Sequence, residues 1–248
     1  MVVNPEAKLS QEDEFSDAQI AYMPLHAITE VLGHNGLVRR FELELTRFSP
    51  EEQAQLNKAY QWAMDLHARD RRYREPATNH ILRVAIRIMH HYGVIDVNLI
   101  TAALLHDSVE DHIYEITGKS DGTKEEALAA VAEQFNPDVS QLVSAVTNPE
   151  YEEGRDKLEK YQAHVAEMLE HGDPRVRILK VSDFTDNALG LIYMNAQGAA
   201  YRARRYNTLV PVFDKAINKP DTPLSPEAKA HITKQLDETR RRLALFLK

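Results

Sequence analysis

Apolar residues recur every three or four positions along most of this chain, the spacing of helices that bury one stripe. The clearest begins at Ser49-Pro50-Glu51-Glu52, where Ser49 can cap, Pro50 suits the first turn and Glu52 completes a capping box. Leu56, Ala59, Tyr60, Ala63 and His67 carry its stripe to about Arg69. A basic loop follows, with Arg69, Arg71, Arg72 and Arg74, closed by Glu75-Pro76. Helix resumes near Thr78 and runs through Ile81, Val84, Ala85, Ile88 and Met89 to Gly93. The next is predicted from Val97 to Asp111. Residues 113–123 read as a loop, after which Thr123 and Glu126 cap a helix to about Phe135 that Asn136-Pro137 breaks. Further helices are predicted at about 138–147, 155–171, 174–192, 195–217 and 225–247, two of them started by Asp173-Pro174 and Ser225-Pro226. Upstream, residues 1–20 read as a loose acidic arm or short helix, and residues 24–48 as two short helices about the turn Gly33-His34-Asn35-Gly36. No strand alternation, internal repeat or low-complexity tract stands out. The expected fold is all-α, a helical bundle of roughly ten helices. An N-terminal helical extension (1–49), a main domain (50–218) and a C-terminal helix packed on it (219–248) make up its parts.

One stretch breaks the apolar pattern sharply. Ala102-Ala103-Leu104-Leu105 runs straight into His106-Asp107, and two residues later Glu110-Asp111 follow. At about 100° per residue a continuous helix would gather these four polar side chains within an arc of about 140°. Three carboxylates that close repel, and apolar surroundings make each costlier. A metal cation is the simplest compensation, and a solvated acidic helix end is the plain alternative.

Composition narrows the function classes. With 248 residues, 43% hydrophobic and 27% charged, the chain is ordinary globular material with no apolar run of transmembrane length. A formal net charge of −8 disfavours nucleic-acid binding, and an anionic small substrate would need a locally positive site. The absence of cysteine excludes disulfides, thiolate metal ligands and a cysteine nucleophile. The expected location is cytoplasmic, with no membrane partner, and the oligomeric state, a homo-oligomer included, is left open.

Other residues can join the His106-Asp107 pair. Imidazole with carboxylate suits Mn, Fe, Zn or Co better than Ca. His80 opens a helix straight after the arginine loop, although taken alone it reads as a surface histidine. Asp183 lies in line with Val176 and Leu179, where a carboxylate is costly unless it is metal-bound or paired with an arginine. Asn187 faces the same way one turn later. Arg71 and Arg72 are either plain surface charge or a phosphate clamp, and Lys180 with Arg202, Arg204 and Arg205 adds further positive charge.

The order His, then His-Asp, then Asp over an all-helical chain resembles the HD superfamily of metal-dependent phosphohydrolases. The match sharpens at the HDxxED signature made by His106, Asp107, Glu110 and Asp111, preceded by Thr101-Ala102-Ala103-Leu104-Leu105. Glu75-Pro76 before His80, Val143 to Thr147, and Asp173 to Asp183 are similar to further segments of the hydrolase domain of RelA/SpoT homologues. That family includes the small alarmone hydrolases, which remove the 3′-pyrophosphate from (p)ppGpp. The resemblance covers roughly residues 52–217, and nothing resembles a synthetase domain. It implies a Mn²⁺ ion, or another divalent transition metal, held by His80, His106, Asp107 and Asp183. It implies catalysis by Glu110 and Asp111 acting on a metal-activated water. Substrate contacts would come from Arg71, Arg72, Lys180 and Asn187, and the substrate would be a small phosphorylated nucleotide. The departures are Ala77 and Ile81 around the first histidine, and Phe184, Asp186, Leu189 and Gly190 where the family places nucleoside-side residues. These leave open another substrate, such as ppApp or the 2′-phosphate of NADPH, or a non-catalytic nucleotide-sensing module. Loop 113–123, just after the catalytic pair, would then be a lid or a passive insertion.

Overall fold

The computed structural model describes residues 15–149 and 157–247; residues 1–14 of the arm or short helix expected over 1–20 lie outside them, as does the start of the helix expected from residue 155. The described residues are almost entirely helical. In chain order they form α1 (Asp17–Tyr22), α2 (Leu25–Leu45), α3 (Pro50–Leu66), β1 (Arg71–Arg72), β2 (Glu75–Pro76), α4 (Ala77–His90), α5 (Val97–Leu105) and α6 (Ser108–Asp111). After these come α7 (Ile113–Thr117), α8 (Lys124–Gln134), α9 (Pro137–Val146), α10 (Lys157–His171) and α11 (Pro174–Leu189). A 3-10 turn, Gly190–Tyr193, leads to α12 (Ala196–Asn207), α13 (Val210–Ile217) and α14 (Pro226–Leu245). None of the described helices is long and apolar enough to cross a membrane.

The helix starts follow local chemistry. The side chains of Ser49, Thr123, Asn136, Asp173 and Ser225 each accept a backbone N–H at the head of their helix. The expected turn at Gly33 is a kink inside α2, where Gly33 takes φ 67°, a conformation that L side chains rarely adopt. α4 and α11 are buried along most of their length and pack against each other at the centre. Ile20, Ile28, Leu37 and Phe41 upstream share one apolar core with Ile86, Leu104, Ile178 and Leu236.

Four local expectations change. The helix expected over 97–111 is broken at His106 and Asp107 into α5 and α6, so no single continuous face carries the four polar groups. Residues 113–117 are helical rather than loop; none of them is fully buried, and burial is what an apolar pattern records. The helix expected over 195–217 splits before Val210, with Pro211 in the first turn of the second piece. The arginine loop is also more ordered than expected. Arg71 pairs with Pro76 and Arg72 with Glu75 in a two-residue antiparallel ribbon, with Tyr73 at φ 57° in its turn.

Candidate active site

The break between α5 and α6 turns His106 and Asp107 inward toward α4 and α11. His106, just past the end of α5, aims Nδ1 at the Ala103 carbonyl at 2.8 Å. His80, in the first turn of α4, aims Nδ1 at Asp186 Oδ2, also at 2.8 Å. A carbonyl and a carboxylate only accept, so each Nδ1 carries the proton and each Nε2 presents a lone pair. Those two Nε2 atoms face each other at 3.3 Å. Asp183 Oδ1 lies 3.3 Å from His80 Nε2 and 3.8 Å from that of His106. Asp107 Oδ1 lies 3.3 Å from His106 Nε2, and its Oδ2 lies 3.9 Å from His80 Nε2. His80, His106 and Asp183 thus gather their ligand atoms within 4.8 Å of one another, with Asp107 at the edge. Burial and Arg72 act to lower the His80 pKa, but Asp183 and Asp186 outweigh them and raise it, so the cluster attracts positive charge, a proton or a cation. A divalent ion with bonds of about 2.0–2.2 Å separates its ligands by roughly 3.0–3.6 Å, so this donor set fits a transition-metal cation.

The surroundings hold these ligands ionised and oriented. Burial acts to raise the Asp183 pKa, but Lys180 and the two imidazoles outweigh it and hold the carboxyl well below the usual range. Burial opposes the Asp107 charge too, and His106 and His80 prevail. Lys180 Nζ donates to Asp183 Oδ2 at 3.1 Å, and Asn187 Nδ2 donates to Oδ1 at 2.5 Å. Lys180 and Asn187, expected at the substrate, both donate to Asp183, the carboxylate expected to hold the metal.

The largest surprise is Asp186. It is 2% exposed, where the resemblance implies a substrate-side departure. Its carboxylate accepts from His80 Nδ1, from Arg83 Nε at 2.9 Å and from Arg87 Nη2 at 2.9 Å, and His26 Nε2 lies 3.4 Å away. Burial would raise its pKa, yet Arg83, His26, His80 and Arg87 hold it well below the carboxylate range. Arg83 also donates to Glu75 of the ribbon at 2.6 and 2.9 Å, tying the arginine loop to the metal ligand's support. The sequence signal was available in the two arginines one turn apart in the stretch Ile81 to Met89, which is otherwise apolar and buried. Two further departures, Phe184 and Gly190, are internal as well. Phe184 is 4% exposed and packs its ring 4.5 Å from that of Phe213, and a Cβ on Gly190 would come within 3.2 Å of the Tyr73 ring.

Glu110 and Asp111 stand at the exposed mouth. Asn148 donates to Glu110 Oε2 from its backbone N–H at 3.1 Å and from Nδ2 at 3.0 Å, a support the sequence reading missed. Partial burial, then Asp107 and Glu110, push the Asp111 carboxyl up to about 6. A carboxyl there sits where a proton can be taken or given near neutrality. Because its folded pKa lies above its unfolded value, ionised Asp111 disfavours the fold above pH 6, and this penalty vanishes below about pH 4. In chelated protein, Asp111→Asn is therefore expected to raise Tm at pH 7.5, with a gain that shrinks toward pH 4; an unchanged Tm across this range would contradict the assignment. A cleft of about 530 Å³ runs beside Asp107 and Asp111, with Arg71, Arg72, Ala77 and Ile81 in its wall. This volume suits a nucleotide-sized ligand. Arg71 is exposed and Arg72 half-buried, so the clamp expected of them faces the same cleft as Asp107 and Asp111.

This bundle, with its convergent His, His-Asp and Asp, belongs to the HD-domain family, which the chain matches over residues 59–206. Among proteins of known name, it is 30% identical over 188 residues to the human guanosine-3′,5′-bis(diphosphate) 3′-pyrophosphohydrolase MESH1, covering 74% of this chain and 96% of that one. It is 33% identical over 158 residues to the guanosine-3′,5′-bis(diphosphate) 3′-pyrophosphohydrolase of Aquifex aeolicus, covering 63% of this chain but only 20% of that longer protein. A solved structure of a metazoan orthologue of SpoT superposes with a TM-score of 0.58 at 22% identity, over 76% of this chain and 94% of the other, and shares the fold.

Proposed function

We propose that the chain is a metal-dependent nucleotide pyrophosphohydrolase acting on guanosine-3′,5′-bis(diphosphate). The observation that carries this is the convergence of His80, His106 and Asp183 with the half-buried Asp107, next to an arginine-lined cleft that Asp107 and Asp111 also line. The human relative whose length this chain nearly spans is named for that activity. When bound, a divalent cation, Mn²⁺ on this reading, neutralises charge on the phosphoryl oxygens and lowers the pKa of the attacking water.

The remaining work falls to the chain's own residues. Glu110, anchored by Asn148, orients the attacking water, and Asp111 takes its proton. Water attacks the phosphorus joined to the ribose 3′ oxygen, the bond between them breaks, and the 3′ oxygen leaves with a proton. The products are GDP and pyrophosphate. Arg71 and Arg72 bind the anionic pyrophosphoryl group, the guanidinium fork matching its oxygens. Lys180 and Asn187 hold Asp183 in place beside the substrate they are proposed to bind. The reading also places the enzyme in the cytoplasm, acting in an alarmone-dependent starvation response, with a small nucleotide and no nucleic acid or membrane as its partner.

The test is a panel of ppGpp, pppGpp, ppApp and NADPH with Mn²⁺, scoring pyrophosphate against phosphate. The expected result is pyrophosphate and GDP from ppGpp, with Glu110→Gln reducing kcat by about 10²–10⁴-fold at unchanged metal content. Phosphate release from NADPH alone would replace this substrate by another, and binding without turnover would favour a sensor.

A further inference from the structure

A second set of donors converges on the same cleft and takes no part in holding the first ion. His67 follows the end of α3, Asp70 precedes β1, and His112 lies between α6 and α7. His67 Nδ1 and His112 Nε2 each lie 2.8 Å from a single oxygen, Asp70 Oδ2, and 3.1 Å from each other. The rings meet edge-on with centroids 4.4 Å apart. His67 and His112 are buried, at 2% and 7% exposure, and all three residues line the cleft wall.

We propose that His67, Asp70 and His112 form a second divalent-cation site beside the catalytic one. An ion holding ligands at about 2.1 Å and at right angles separates them by about 3.0 Å. The triangle of 2.8, 2.8 and 3.1 Å is close to one face of such an octahedron. Two imidazoles and one carboxylate form a facial triad that leaves three positions open, and the donor set favours Mn, Fe, Co or Zn over Ca or Mg. Hydrogen bonding alone explains the arrangement less well. Both rings would have to crowd their protons onto one oxygen, while the outer atoms, His67 Nε2 and His112 Nδ1, are buried without a hydrogen-bond partner. With a cation in the triangle, each ring keeps its proton on that outer nitrogen, and the Glu115 carboxylate, 3.6 Å from His112 Nδ1, favours a proton there electrostatically. The open positions face the cleft that holds Arg71, Arg72 and Asp111. There the ion would bind the outer phosphate of a 3′-pyrophosphate, a role that rests on the proposed function, whereas the binding site itself does not.

The test is a metal titration of the full chain after stripping with chelator, with Mn²⁺ and Zn²⁺ separately. Bound metal is counted by elemental analysis, and nitrogen coupling to Mn²⁺ is read by pulsed electron paramagnetic resonance. Wild type should bind two ions, His106→Ala one, His112→Gln one, and the double variant none. In His106→Ala the remaining Mn²⁺ should still show two histidine nitrogens. Asp70→Asn, which keeps size and shape, should weaken that ion about tenfold or more, and far-ultraviolet circular dichroism checks that each variant is folded. The proposal is overturned if His106→Ala binds neither metal, or if its ion survives His112→Gln. Two bound ions with no turnover of ppGpp would uphold the site and refute the hydrolase reading. His112→Gln with an unchanged KM would refute the phosphate-binding role.

Discussion

Asp183→Asn is expected to remove the catalytic cation from an otherwise folded protein and to reduce hydrolysis by on the order of 10³-fold or more, about 4 kcal/mol in the barrier. Asparagine keeps the shape of the side chain and can still accept from Lys180, so packing on α11 is preserved. What it loses is the negative charge that faces His80 Nε2 at 3.3 Å and His106 Nε2 at 3.8 Å. It also leaves the Lys180 ammonium, which lies in the interior, without its counter-charge. Elemental analysis after dialysis, paired with a ppGpp turnover assay, reads both effects. Retention of metal and turnover would show that the ligand set has been misassigned.

Asp186→Ala should produce the largest loss of stability outside the apolar core. The substitution strands the buried Arg87 guanidinium, whose carboxylate partner this is, and leaves buried Arg83 with its Glu75 pair alone. Removing one partner of a buried ion pair costs about 3–5 kcal/mol, because the remaining charge is left uncompensated. In a chain of this size that lowers Tm by on the order of 10 °C. His80 loses the acceptor that fixes its tautomer, so metal affinity should fall a further 10–100-fold. Asp186→Asn should fall between the two in Tm. Thermal melts by circular dichroism decide it, and an Asp186→Ala protein that melts with wild type would mean that the arginines find other partners.

The contrast between these two aspartates shows what could be read in advance. Asp183 was legible because its position in an apolar stripe and its order after His80 and His106-Asp107 match a known pattern. Asp186, three residues on, makes every one of its contacts across more than 90 residues of sequence, with α4 and with His26. Local spacing carries no record of such partners, and the resemblance pointed away from them by marking the position as a substrate-side change. The helix starts at Ser49, Thr123 and Ser225 were legible because a cap is a local device. The break after Leu105 was not, because helical periodicity runs on unchanged through Ser108-Val109. There the chain leaves the helix where the His106 ring turns back to the Ala103 carbonyl, within reach of α4 and α11. His67, Asp70 and His112 were likewise invisible as a group, since Asp70 and His112 stand 42 positions apart and only the fold brings them together.

The most direct measurement of the central claim is a single turnover of ppGpp by the Mn²⁺-loaded protein in ¹⁸O-labelled water, with the products resolved by mass spectrometry. Attack by water on the phosphorus joined to the ribose 3′ oxygen predicts one ¹⁸O in pyrophosphate and none in GDP. The same experiment with Asp183→Asn should show no labelled product. Label in GDP or in inorganic phosphate, or turnover that survives loss of the cation, would contradict the account.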